Sequence, residues 1–515
     1  MIIICHHKGK KLVSITRNSE ELTAFSGDLT KVFWRLCEDF PDELIIWKEK
    51  SVEVNTADVS AIFPHSLIMV SYPATNFFIG DEIGYVDQLP FVNPDREVRY
   101  PTWRMSTDVG GVYGKVALQF QHVFEDISCF GYLLNSIAKT GQQNSLFCYS
   151  DPAFIQGLQN ENSLEPRNTS VLFNFVGQHY KKARLLILFF CFLKYEKKFP
   201  LFSLVKALFR PSFFRLDIEL PVHQFSELVN ISNSEKIDVI IPTLGRPEYL
   251  KNVLIDLKNQ QKKPEKVIIV EQNPEPNSNS NLMYLTNEEW PFRIIHHFTH
   301  QTGACNARNI ALKEVSSDCV FFADDDIRFK EDLLAEALSK MQKLNIDALN
   351  LNTLQPGEKT EFSKLKQWGA FASGASIVHS IFAKKVNFSL AFEHGFGEDY
   401  DYGMKLRDLG CDIIYHPELI LKHLKAPTGG FRNTTNDFEP SRGLKPKPSP
   451  TFMLLVKRHY NTFMIKGYKV NLFLKFYSKQ TIKNPFKYLL VMRNRWAISE
   501  NKCADLERQF EGKSN

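Results

Sequence analysis

Val320-Phe321-Phe322-Ala323-Asp324-Asp325-Asp326-Ile327 runs from an apolar strand straight into three adjacent carboxylates. Acids crowded at a strand end repel one another unless a cation or a hydrogen-bond network compensates. Oxygen ligands suit a hard divalent ion such as Mg2+ or Mn2+, and such ions commonly hold substrate phosphates. The triplet also reads as a solvated acidic turn opening the next helix, where negative charge is favoured. Alone it leaves both readings open, and the flanking segments narrow them.

Upstream, Lys236-Ile237-Asp238-Val239-Ile240-Ile241 is an apolar strand closed by Pro242-Thr243. Pro247 suits a first helical residue. Leu250, Val253, Leu254 and Leu257 then recur at the spacing of an amphipathic helix. A second strand, Lys266 to Val270, ends in Glu271. A third, Phe292 to His296, leads to Gly303 and a helix around Asn306 to Lys313. The fourth ends in the acidic triplet. This alternation predicts an α/β domain with a mostly parallel sheet flanked by helices. Such sheets bind ligands at the carboxyl ends of their strands. The Thr243–Arg246 loop, Glu271 and the triplet should therefore converge on one crevice. Asn273 to Asn281, between the second and third strands, reads as a polar loop.

Downstream, Gly397-Glu398-Asp399-Tyr400-Asp401 opens a helix that closes at Gly410. Helix capping accounts for acids at such a start. Gly397 also allows backbone to approach a ligand closely, and one of these carboxylates can act as a base toward a hydroxyl. A strand, Ile413-Ile414-Tyr415, then leads through His416-Pro417 to His423.

Read in order, these motifs, with Ala307-Arg308-Asn309 and Ala372-Ser373-Gly374-Ala375-Ser376, resemble the family-2 glycosyltransferases of bacterial cell-surface polysaccharide type, over residues 236 to 425. The resemblance implies the GT-A fold, a Rossmann-like mixed, mostly parallel sheet. It implies that Pro242, Thr243, Arg246, Glu271, Arg308, Asp324 and Asp325 meet the donor nucleotide. Asp324 and Asp326, with His423, would hold Mn2+ or Mg2+. Asp399 would be the catalytic base, beside Glu398, with Gly374 and Gly397 near the sugar or acceptor. Glu271 stands where the family usually has Asp, and Ala323 where it often has an acid. The implied reaction is inverting transfer from a nucleotide-diphosphate sugar, a UDP-sugar first among them, to a hydroxyl of a glycan or lipid-linked glycan precursor. Two alternatives are a nucleotidyltransferase of similar sheet and a non-catalytic sugar-nucleotide or glycan-binding protein. The Pro242–Pro247 loop lacks the glycine-rich, basic character expected of the first. Retention of both acidic clusters speaks against the second.

The chain of 515 residues divides on this reading into an N-terminal α/β domain (1–165), a helical basic and apolar connector (166–232), the GT-A domain (233–430) and a basic, aromatic helical extension (431–515). In the first domain, Phe130 to Gly141 followed by Leu146 to Pro152 parallels Tyr400 to Gly410 followed by Ile413 to Pro417. That echo suggests a degenerate, metal-free relative of the transferase fold that positions an acceptor; chance similarity of one helix-strand unit is the other reading. In the connector, the apolar run Leu185 to Leu193 is flanked by Lys181, Lys182, Arg184, Lys194, Lys197 and Lys198. It is shorter than the ~20 residues of a membrane span. It fits a helix lying in a membrane interface or one buried between domains.

The nine cysteines include no Cys-x-x-Cys pair, which argues against a zinc site or disulfide framework and for a reducing compartment. The first residues lack the order of a secretory signal. Net charge is +5, yet Leu444 to Ser499 holds twelve Lys/Arg and no Asp or Glu. A basic, aromatic segment of this kind points to an anionic partner. Together with the resemblance, it suggests an anionic membrane surface rather than nucleic acid, and a peripheral place at the cytoplasmic face of the cell membrane.

Overall fold

The computed structural model describes residues 1–156, 168–221, 235–393, 395–427 and 444–510. The expected domain boundaries at 165, 232 and 430 lie outside the described residues. The chain forms two compact units: Met1–Glu227 with Tyr460–Gln480, and Leu228–His459 with Thr481–Asn515. The extension is thus shared between the units, and the described part of the connector belongs to the first.

The first unit is built on an eight-stranded sheet: β1 (Ile2–His7), β2 (Lys11–Arg17), β3 (Glu20–Glu21), β4 (Leu44–Glu49), β5 (Ile68–Tyr72), β6 (Tyr100–Pro101), β7 (Val109–Tyr113) and β8 (Phe147–Ser150). Their spatial order is β3-β2-β1-β4-β7-β5-β8-β6. Trp47 lies fully buried across β7, where a Cβ on Gly110 would overlap its ring. Its indole N–H donates to the Ser106 carbonyl at 3.1 Å. Three helices, Thr169–His179, Ala183–Cys191 and Leu201–Leu208, pack together in this unit. A Cβ on Gly177 would overlap the Ala207 backbone, so glycine sets how closely the first and third approach.

In the second unit, strands β9 (Ile237–Leu244), β10 (Lys266–Gln272), β11 (Arg293–Thr299), β12 (Cys319–Ala323), β13 (Ile327–Arg328), β14 (Ala348–Leu354), β15 (Lys366–Gln367), β16 (Ala375–His379) and β17 (Ile413–His423) form one sheet. The order is β11-β10-β9-β12-β16-β14-β17-β13, with β15 on β17. β11, β10, β9 and β12 run parallel; the apolar runs of β10, β9 and β12 are buried on both faces, and those of the edge strand β11 are half-buried. β16 enters antiparallel between β12 and β14, so the second half of the sheet is mixed. The architecture is a mixed α/β sheet with flanking helices, the fold class expected from the sequence.

The two sheets share a core topology. In the first unit β4 is parallel to β1 and antiparallel to β7; β5 is antiparallel to β7 and parallel to β8. In the second, β12, β9, β16, β14 and β17 repeat these senses in the same chain order. The helix Phe130–Gly141 lies between β7 and β8 in sequence, as Glu398–Arg407 does between β16 and β17. The register also corresponds: Lys48 faces Val109 as Ala323 faces Ala375. Glu49 therefore holds the place of Asp324, and Asp108 that of Gly374. The Glu49 carboxylate is taken by His7 Nδ1 at 3.0 Å and the Lys8 N–H at 2.6 Å. Beyond β1 the first sheet has the β2 hairpin in place of the parallel β10 and β11.

Candidate active site

The triplet leaves β12 into three different environments. Asp325 is buried: Thr243 Oγ1 donates to Oδ2 at 2.7 Å and Arg246 Nη1 to Oδ1 at 2.8 Å. Burial pushes its carboxyl up to about 6, against the pull of Arg246 and Thr243. Asp326 is also buried. Burial alone would raise its pKa, but His423 Nε2 at 3.1 Å, the Ala426 N–H at 2.9 Å and Arg246 at 3.2 Å outweigh it and hold the carboxyl below its ordinary range. Asp324 keeps 35% of its side chain exposed and pairs with Arg308 Nη2 at 3.2 Å.

Gly374 is fixed by that arrangement. It immediately precedes β16, and its carbonyl accepts from the Asp324 N–H at 3.3 Å. A Cβ there would overlap the Asp324 carboxylate. Ser373, its buried neighbour, hydrogen-bonds Asp399 through both hydroxyl and backbone N–H. Gly397, with φ +119°, turns the chain into the helix Glu398–Arg407. This places Asp399 and Glu398 near Arg308. Asp399 Oδ1 is buried and has no hydrogen-bond partner among the described residues. Burial raises the Asp399 pKa, partly offset by Arg308 and Ser373. Burial and the neighbouring Asp399 charge push Glu398 up to about 7.

Arg308, on the helix Ala304–Leu312, is itself buried, and its Nε lacks a hydrogen bond. It stands over Phe388, with its guanidinium carbon 5.5 Å from the ring centre. The same helix has its amino terminus capped by Glu393, which accepts from the Cys305 and Asn306 N–H groups at 3.0 and 2.9 Å. That end is therefore already compensated and adds little positive field for an anion.

Glu271, at the end of β10, is engaged within the protein. Ser280 Oγ donates at 2.5 Å, the Asn281 N–H at 3.3 Å, and His296 Nε2 lies at 2.9 Å. These bonds outweigh burial and hold its pKa below the ordinary range. The polar loop after β10 thus folds back on Glu271. Pro242 sits within β9 beside Thr243, and both oxygens of Asp325 are committed to Thr243 and Arg246.

Asp324, Asp326 and His423 bring one ligand atom each to within 4.8 Å of one another. Two carboxylates and an imidazole are a donor set compatible with Mn2+ and similar divalent ions. Glu235, Cys319 and His379 form a comparable cluster at the opposite end of β12, away from the triplet.

The structure brings Arg246, Asp325, Asp326 and His423 into one network. Arg308, Asp324, Gly374, Glu398 and Asp399 gather in a second, contiguous with the first through the triplet. Ser373, Glu393 and His459 were not singled out in the sequence. His459, at the end of the helix Pro450–His459, holds the buried Asp401 at 2.9 Å, with Lys405 at 2.6 Å on the other oxygen. Glu393 has no local signature; its role depends on a helix 88 residues away.

Residues 238–397 match the family model described as Glycosyl transferase family 2. The match runs from β9 to the glycine before the Glu398 helix, and over it the chain is similar to family-2 glycosyltransferases. No curated protein matches the chain. Among solved structures, TarS of S. aureus aligns at 18% identity and TM-score 0.32, over 37% of this chain and 37% of that one. TarS 1–349 in complex with UDP-GlcNAc aligns at 15% identity and TM-score 0.39, over 54% and 90%. The Pyrobaculum calidifontis mannosyltransferase PcManGT, in complex with GDP-Man and Mn2+, aligns at 14% identity and TM-score 0.31, over 55% and 76%.

Proposed function

We propose that the second unit is an inverting glycosyltransferase that moves a sugar from a nucleotide-diphosphate donor to a hydroxyl of a glycan or lipid-linked glycan precursor. The observation that carries this reading is the pairing of the family match with Asp399. Its carboxylate is held by Ser373 near Arg308, while Oδ1 is buried without a hydrogen-bond partner among the described residues and is poised to take a proton. Burial raises its pKa above that of an exposed carboxylate, which makes it a stronger base.

The residues divide the work by charge. Arg308 supplies fixed positive charge for a donor diphosphate, and its unpartnered Nε is a free donor for that purpose. Thr243 and Arg246 lock Asp325, which keeps the end of β9 and the triplet in register. Gly374 leaves room for the Asp324 carboxylate. Asp324, Asp326 and His423 fit a divalent ion, Mn2+ or Mg2+, which when bound supplies compensation for phosphate charge. Asp399 orients and deprotonates the acceptor hydroxyl. At the β10 end, Glu271 Oε2 is taken by Ser280 and His296, while Oε1 carries only the 3.3 Å bond from the Asn281 N–H and keeps acceptor capacity for a nucleotide base.

The first unit, with the same strand core but Glu49 and Asp108 filling the corresponding place, positions the acceptor without doing chemistry. We place the protein at the cytoplasmic face of the cell membrane, attracted by the basic residues of its C-terminal segment. The test of the enzymatic reading is nucleoside diphosphate release from a panel of sugar nucleotides, UDP-sugars first, with Mn2+, Mg2+ or chelator. Metal-dependent release from one donor supports it. Pyrophosphate release, or donor binding without turnover in the presence of glycan acceptors, overturns it.

A further inference from the structure

Nine large, exposed apolar side chains fall within residues 186–209 of the first unit. On the helix Ala183–Cys191, Leu185 and Leu188 are buried in the core. A surface helix of this kind should present a polar opposite face. Instead Leu186 and Phe190 point outward, 50% and 46% exposed, and Leu193 continues the stripe one turn on. The helix Leu201–Leu208 repeats the pattern. Leu204 and Ala207 are buried, while Phe202 is 80% and the adjoining Phe209 85% exposed. Both helices carry a second apolar stripe directed away from the core.

The charge along this segment is predominantly positive. From Lys181 to Arg215 there are nine Lys/Arg and a single acid, Glu196. That acid accepts a hydrogen bond from Tyr85 Oη at 2.5 Å. The basic helix Thr462–Tyr477 belongs to the same unit and packs against Ala183–Cys191. Its Lys466 Nζ lies 5.1 Å from the Tyr195 ring centre. The apolar run and the middle of the basic tail, far apart in sequence, therefore share one surface. Among the described residues no helix is long and apolar enough to cross a membrane.

We propose that the outward faces of Ala183–Cys191 and Leu201–Leu208, rimmed by lysines, form a shallow insertion surface for an anionic phospholipid bilayer. Apolar side chains enter the boundary between headgroups and acyl chains, and the surrounding lysines reach the phosphates. Charge complementarity selects this occupant: a water-soluble apolar partner would not call for so strongly basic a rim. The inference deepens the membrane location proposed above and does not depend on the transferase chemistry. It shifts the main contact from the tail as a whole to the first unit.

The test is co-sedimentation of the full chain, without donor, on vesicles of phosphatidylcholine containing phosphatidylglycerol and on phosphatidylcholine alone. Wild type should pellet with the anionic vesicles, and less so as salt rises. The Phe202→Ser/Phe209→Ser variant should lose at least about tenfold in vesicle affinity with an unchanged melting temperature. Lys197→Glu/Lys198→Glu should weaken binding to anionic vesicles only. Donor turnover in solution, measured on the same preparations, separates failure of the surface from failure of the enzymatic reading. Absence of vesicle binding by a folded wild type overturns the proposal, as does unchanged binding by the phenylalanine variant. Self-association in lipid-free buffer that the phenylalanine variant abolishes would assign the face to a second copy and overturn it too.

Discussion

Replacing Gly374 by alanine isolates the geometry of the site from its stability. The added Cβ would fall on the Asp324 carboxylate. A core overlap of this kind commonly costs 1–3 kcal/mol, but Asp324 is a short side chain, 35% exposed, and free to rotate toward solvent. Rotation gives up the Arg308 bond, which partial exposure already weakens. The loss of folding stability should therefore stay within about 1 kcal/mol. Activity should suffer far more, because a displacement of about 1 Å at a reacting centre can lower turnover on the order of 100-fold. The assay pairs urea unfolding with the rate of nucleoside diphosphate release. A double-mutant comparison with Asp324→Ala supplies the check: once Asp324 is truncated, adding alanine at 374 should change neither stability nor rate further. If Gly374→Ala retained near wild-type turnover, or unfolded the protein in both backgrounds, the carboxylate overlap would not be what fixes this glycine.

Three further expectations concern charge. Glu398→Gln should stabilise the fold above pH 7, by up to about 3 kcal/mol; the folded pKa of about 7 exceeds the ordinary 4.5, so the charged form is disfavoured in the native state. The gain should shrink as pH falls from 7 toward 4.5 and vanish below, which thermal melts across that range will read. Asp326→Asn should weaken Mn2+ binding, measured by calorimetry, by at least about tenfold. His459→Ala should lose about 1–3 kcal/mol in urea unfolding, because it strips one partner from the buried Asp401.

Much of the second unit was legible because its signals are local. The apolar runs of β9, β10 and β12 are buried on both faces, and their length and order alone predict a parallel sheet. Gly397 announces close backbone approach, and the structure gives it a positive φ; Gly374 enters through the resemblance alone, and its fit against Asp324 shows only in three dimensions. What stayed hidden depends on partners far away in the chain. β16 carries no mark of running antiparallel, since its direction is set by where it pairs with β12 and β14 in the sheet. Asp325 looks like its neighbours in sequence, yet only Thr243 and Arg246, about eighty residues earlier, make it a structural anchor. The resemblance puts Glu271 at the nucleotide; that Ser280 and Asn281 also return to it depends on the path of the loop. In the first unit a single helix-strand echo was visible, while the shared five-strand core emerged only from strand pairing.

The central claim is that Asp399 acts as the base in sugar transfer, and the Asp399→Asn variant tests it most directly. Donor affinity by calorimetry and nucleoside diphosphate release should be measured on the same protein. The account predicts donor affinity within about threefold of wild type, with release reduced by about 100-fold or more. Release that survives the substitution at a comparable rate would contradict it and remove Asp399 from the chemistry.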